Sequence, residues 1–186
     1  MRVVDKTEAL RLLAAQLGDL PGGSCPLCAL VAPAARAAPI ASNEHGVVLL
    51  NRFGQRRGHL MVVSRRHVEH VHELDWPAYA GLQQLAHGAA LALQHVLAPK
   101  RVFVASLGCA APLATSYAHL HVHVIPVHET DERARPARVL SWSEGVVVYD
   151  DDSADTLSQE LRAAFERAPS QASAGLATRL TAPLPE

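Results

Sequence analysis

The run His119-Leu120-His121-Val122-His123-Val124-Ile125 constrains this chain more than any other segment, because imidazoles stand at every second position with aliphatic residues between them. In a β-strand successive side chains point to opposite faces. The period therefore puts Leu120, Val122 and Val124 on a buried face and three imidazoles on the other. A strand that needed only a wetted face would more often carry Thr, Ser or Lys there. Imidazole changes protonation near neutral pH, acts as a nucleophile and binds metals, so the row points to chemistry. Three roles compete: two alternate histidines chelating a metal with ligands from elsewhere, one histidine acting as a nucleophile whose neighbours fix its tautomer, or the row sensing pH.

The rest of the chain supplies a scaffold for such a strand. With 186 residues it suits one domain with a full core and some peripheral structure. Its 17 Lys+Arg and 18 Asp+Glu leave a net charge of -1, so there is no global basic field for a nucleic acid polymer. Local pairs such as Arg56-Arg57 and Arg65-Arg66 remain able to meet phosphates. No apolar run approaches the roughly 20 residues of a membrane span, and the first residues lack the apolar core of a signal peptide. A cytoplasmic protein without a membrane partner is expected. Three cysteines, two of them in Cys25-Pro26-Leu27-Cys28, fit a reducing compartment better than a disulfide scaffold.

Leu10, Leu13 and Leu17 with Ala14 predict a helix over residues 5–17, which Pro21-Gly22-Gly23 stops. Val47–Leu50 and His59–Val63 read as neighbouring antiparallel strands joined by the polar turn 54–58. Leu82, Leu85, Ala86, Ala89, Leu93 and Val96 make one stripe of a long helix over 75–97. A strand over 101–107 leads by a loop into the histidine strand, and the two are most simply antiparallel. Beyond residue 128, a strand over 145–149 and a helix over 153–167 are expected, followed by a loose tail. This divides the chain into an N-terminal helix and linker (1–23), a central domain (24–128), a C-terminal extension (129–168) and the tail (169–186).

Upstream of the triad stands Asn51-Arg52-Phe53-Gly54-Gln55-Arg56-Arg57-Gly58-His59-Leu60-Met61-Val62-Val63. With the His-Leu-His-Val-His-Val-Ile-Pro run it resembles the histidine-triad (HIT) superfamily, over roughly Cys25 to Val127. The resemblance implies an α+β fold: an antiparallel sheet of about five strands with the long helix packed on it. It also implies nucleotidyl hydrolases or transferases that act on an α-phosphate through a nucleotidyl-histidine intermediate, and commonly a homodimer.

By motif position His121 is the nucleophile, His123 its phosphate-side support, and His59 an orienting residue on the neighbouring strand. Ser116 matches the serine that donates to the leaving-group oxygen, Asn51 a position that contacts the nucleotide sugar, and Thr115 lies where many members carry Gln. Read without the family, His59 is a satisfied core histidine, and Ser116 and Asn51 are turn residues. The departure at Thr115 leaves the leaving group, and hence the substrate, open.

Zinc-bearing HIT proteins and the galactose-1-phosphate uridylyltransferases are similar at the cysteine pair. That likeness implies a structural zinc ion on Cys25, Cys28, His67 and His119, with His70 and His72 as rivals to His67. The expected substrate is a dinucleoside polyphosphate or a nucleoside phosphoramidate. Two alternatives stand beside it: a nucleotide-binding or sensing protein with little catalysis, and a zinc-dependent hydrolase.

Overall fold

The structure, a computed structural model, describes residues 1–18, 25–32, 38–108 and 117–179, with side chains through residue 167. In chain order it runs β1 (Arg2–Val4), α1 (Lys6–Gly18), α2 (Pro26–Val31), β2 (Ala41–Ser42), β3 (Gly46–Leu50), β4 (Phe53–Gly54) and β5 (Leu60–Ser64). There follow α3 (Trp76–Leu97), β6 (Arg101–Ala105), β7 (His121–Val127), α4 (Pro136–Val139), β8 (Val146–Val148) and α5 (Asp151–Arg179). Five strands form one antiparallel sheet in the order β2-β3-β5-β7-β6, in line with the expected antiparallel sheet of about five strands, although β2 and the strand order were not foreseen.

Alternation decides which side of that sheet each residue serves. Leu60, Val62, Val122 and Val124 pack with α3 residues Leu82, Leu85, Ala89 and Leu93 in the main core. Each Leu or Val side chain so removed from water contributes about 1.5–3 kcal/mol. Asp75 caps α3 by accepting from the Ala78 N–H at 2.9 Å, and Pro77 fits the first turn, where no N–H is needed. On the other side Leu27 of α2 packs with Val47, Leu49, Met61 and Val63, while Ile125 and Val127 pack with Ala134 and Val139. His121 and His123 lie on β7 between these two small clusters.

The C-terminal extension is woven into the fold. Leu157, Leu161 and Ala164 of α5 complete the main core over α3, where Gly88 leaves room for the Phe165 ring. α5 continues to Arg179, well past the expected end at 167. A second, three-stranded sheet in the order β1-β8-β4 was not foreseen: Arg2–Val4 and Phe53–Gly54 both pair with β8. It sets the turn in front of His59. Gly58, at φ +84°, donates its N–H to the Tyr149 hydroxyl oxygen at 2.8 Å, and a Cβ there would meet Leu97. No described helix is long and apolar enough to cross a membrane.

Tyr149→Phe strands the buried Gly58 N–H, at a cost of about 1–3 kcal/mol. Urea denaturation should show a lowered midpoint with an unchanged slope. An unaltered midpoint would mean that this contact does not hold the turn.

Candidate functional site

The histidine row does not form one face of one strand. β7 begins at His121, and His119 sits in the bend before it, fully buried. The bend is held because Leu120 donates its N–H to the Val68 carbonyl at 2.6 Å, while the Leu120 carbonyl accepts from the Ser64 N–H at 3.2 Å. His119 Nε2–H donates to the Ser64 carbonyl oxygen at 2.8 Å. A carbonyl only accepts, so the proton is on Nε2 and Nδ1 carries the lone pair.

That lone pair faces sulfur. Cys25 Sγ and Cys28 Sγ each lie 3.4 Å from His119 Nδ1, and His67 Nδ1 lies 3.3 Å from Cys28 Sγ. The four donor atoms fall within 4.8 Å of one another. A tetrahedral ion with Zn–S of 2.3 Å and Zn–N near 2.05 Å needs sulfur–nitrogen edges of roughly 3.6 Å, close to those observed. Two soft thiolates and two imidazoles suit zinc, and the Ser64 carbonyl supplies the outer hydrogen bond that orients a ligand histidine. His70 and His72 stack on each other at 5.3 Å instead of joining the cluster.

His121 is turned by the same residue. Its Nδ1–H donates to the His119 carbonyl oxygen at 2.7 Å, which leaves Nε2 as a lone pair. Val63 stands opposite it on β5, and the Tyr117 ring lies edge-on at 6.2 Å. His123 stands next along the strand, its ring 4.8 Å from that of His121 at 80°. Behind it, fully buried His59 brings Nε2 to 3.0 Å from His123 Nδ1. Asn51 holds the start of this arrangement: its Oδ1 accepts from the Phe53 N–H at 3.0 Å, and its Nδ2 lies 3.2 Å from His59 Nδ1.

Burial dominates the electrostatics. It pushes the pKa of His121 below its usual value, against the opposing pull of the His119 carbonyl. For His123 burial, helped by His121, brings the pKa down to about 4. For His59 burial, then the neighbouring His123 and His121, holds it well below its ordinary value. At neutral pH these three rings are uncharged.

The structure thus brings together His59, His121 and His123, with Asn51 beside them, and separately Cys25, Cys28, His67 and His119. Ser116 and Thr115 lie outside the described residues. Arg56 is not free for phosphate, because its Nε pairs with Glu129 Oε1 at 2.8 Å and its guanidinium donates to the Gln55 and Arg133 carbonyls. Sequence reasoning missed the Ser64 carbonyl and the Gln55 N–H, the latter 3.4 Å from His59 Nδ1. As backbone groups they leave no side-chain signature.

The family model for the HIT domain matches residues 33–130. A HIT-like protein from Mycoplasma pneumoniae is 28% identical over 116 residues, covering 62% of this chain and 79% of that protein. One from Mycoplasma genitalium is 29% identical over 108 residues, covering 58% and 75%. Among solved structures, a zinc-bound histidine triad family protein from Mycobacterium smegmatis has a TM-score of 0.61 and 25% identity, over 80% of this chain and 97% of that one. A hypothetical histidine triad nucleotide-binding protein from Sulfolobus tokodaii has a TM-score of 0.60 and 20% identity, over 76% and 92%.

Uncharged buried imidazoles link stability to pH. An unfolded chain takes up protons below its histidine pKa of about 6.5, while the folded chain resists. Stability is therefore complete above that value and falls on acidification, the share of His123 being lost down to about 4. That share amounts to at most about 1.4 kcal/mol per pH unit. Urea midpoints measured at pH 7.5 and 5 should drop, and the drop should shrink in His123→Gln.

Proposed function

The chain belongs to the HIT domain family, and on that footing we propose that it is a nucleotidyl hydrolase or transferase acting on the α-phosphate of a nucleotide conjugate. A dinucleoside polyphosphate or a nucleoside phosphoramidate fits the reading. The observation that carries it is His121, whose Nδ1–H is committed to the His119 carbonyl at 2.7 Å and whose Nε2 lone pair is thereby freed. Neutral imidazole held in this tautomer is a competent nucleophile at physiological pH.

In the proposed reaction His121 Nε2 forms a bond to the α-phosphorus as the bond to the leaving group breaks. By family resemblance Ser116 would donate a hydrogen bond to the leaving atom, and Thr115, its neighbour in sequence, takes the position where many members carry Gln. His123 stabilises charge that grows on the phosphoryl oxygens. Water, or another acceptor, then attacks phosphorus, the P–N bond breaks with its electron pair returning to His121 Nε2, and the proton that the acceptor loses balances the one taken up by the leaving group.

Zinc held by Cys25, Cys28, His67 and His119 would act as a structural cross-link between α2 and the bend before β7. Four protein donors fill a tetrahedral shell and leave no position for an activated water, which favours this role over a metal hydrolase. Cross-linking would keep the His119 carbonyl where His121 needs it.

Purified protein should hydrolyse an adenosine phosphoramidate or a member of a diadenosine polyphosphate panel, with a nucleotidyl adduct visible by mass spectrometry. His121→Ala should lose at least about a thousandfold in kcat, as removal of a covalent nucleophile does. Undiminished turnover in that variant sinks the assignment. Nucleotide binding without turnover or adduct would instead support a sensing protein.

Elemental analysis should find about one zinc per chain, as a closed four-ligand shell requires. The ion should be absent from the double variant Cys25→Ser, Cys28→Ser and retained in His121→Ala. With chelator, activity should decay in step with the near-ultraviolet circular dichroism. Immediate loss with the fold intact would favour the zinc-dependent hydrolase.

A further inference from the structure

The hydrogen bonds behind His123 form a directed series that begins at Asn51. The Phe53 N–H can only donate, so the Asn51 atom 3.0 Å away must be the acceptor Oδ1. The other end of the amide is then Nδ2, a donor, 3.2 Å from His59 Nδ1. The Gln55 N–H also reaches that nitrogen, at 3.4 Å. Two donors meet at His59 Nδ1, which therefore carries a lone pair. A neutral imidazole has one N–H, so that of His59 is on Nε2, where it donates to His123 Nδ1 at 3.0 Å. His123 in turn must hold its proton on Nε2.

We propose that Asn51, helped by the Gln55 N–H, is a positioning residue: it fixes the tautomers of His59 and His123 so that His123 presents Nε2–H to the substrate as a donor. The two neighbouring rings on β7 then carry opposite characters. His121 offers a lone pair to phosphorus, while His123 offers a hydrogen to the phosphoryl oxygens. With the opposite tautomer His123 would turn a lone pair towards an anion.

The loop bearing the Gln55 N–H is fixed for this task. Arg56 is buried and donates to the Gln55 carbonyl at 2.8 Å while pairing with Glu129, and the Tyr149 hydroxyl holds the Gly58 N–H. Each end of the Asn51 amide has one partner within the chain, and this positioning role is separate from the sugar contact that family resemblance implies. Burial keeps His59 and His123 uncharged at neutral pH, which makes the single-proton count apply.

The inference rests on the reading of His121 as nucleophile, and its test has an arm that does not depend on turnover. Ring nitrogen shifts in histidine-labelled protein at pH 7.5 should show His59 and His123 protonated on Nε2 alone. Asn51→Asp keeps the size of the side chain and an acceptor for Phe53, but puts an acceptor opposite His59 Nδ1. In that variant His59 Nδ1 should become protonated, and kcat should fall about a hundredfold, as for loss of one transition-state donor, with KM changing less. Asn51→Ala removes the amide without adding an acceptor, leaves the Gln55 N–H in place, and should lose less than about tenfold.

The order is diagnostic, because a sugar-contact or turn-forming role makes Asp the milder change. Asp equal to wild type, Ala worse than Asp, or a wild-type His59 protonated on Nδ1 overturns the proposal. If no nucleotide is turned over, the proposed function fails and the nitrogen shifts alone decide the tautomers.

Discussion

The hydrogen bond from His119 Nε2–H to the Ser64 carbonyl sets the direction of the chemistry on both sides of the bend. It fixes the His119 tautomer, and with it the lone pair that faces Cys25 and Cys28. The backbone of the same residue supplies the carbonyl that fixes His121. Breaking it inside the protein would leave a buried N–H and a buried C=O unpaired, so the geometry is held by a penalty larger than the bond's own net worth. One residue thereby serves the metal-capable cluster through its side chain and His121, the proposed nucleophile, through its backbone.

The two faces of the five-stranded sheet divide the work. The α3 face is apolar and continuous, as a stable core requires. The other face carries two smaller apolar clusters, and the polar rings stand between them. Imidazole tolerates this placement because it can be desolvated in its neutral form, which lysine or arginine would not accept so readily. The two fully buried rings, His59 and His119, have a partner at both nitrogens, so the polar pocket does not undermine the core around it.

Much of this was legible in the sequence, for definite reasons. The period of two in β7 and the aliphatic stripe of α3 are long enough to identify their elements, and the turn 54–58 joins strands whose antiparallel pairing leaves little choice. The metal-capable quartet came from resemblance, since nothing local distinguishes His67 from His70 or His72. The sheet β1-β8-β4 was illegible because two of its strands have only three residues, one has two, and their partners are far apart in sequence. His119 read as part of the strand because alternation continues through it. What removes it is the Leu120 bond to Val68, a tertiary contact with no local signal.

The β1-β8-β4 sheet also bears on how the chain reaches its native state. Val3 pairs with Val147 and Gly54 pairs with the same residue, so the turn that carries the Gln55 N–H is completed by a segment made long after β7. Contacts of such high sequence separation close late and slow folding. On the ribosome, every triad residue would have emerged before the strand that steadies His59 is available. A chain made only as far as Val127 would carry all three triad imidazoles and His59 without the strand that pairs with Phe53–Gly54 in front of His59.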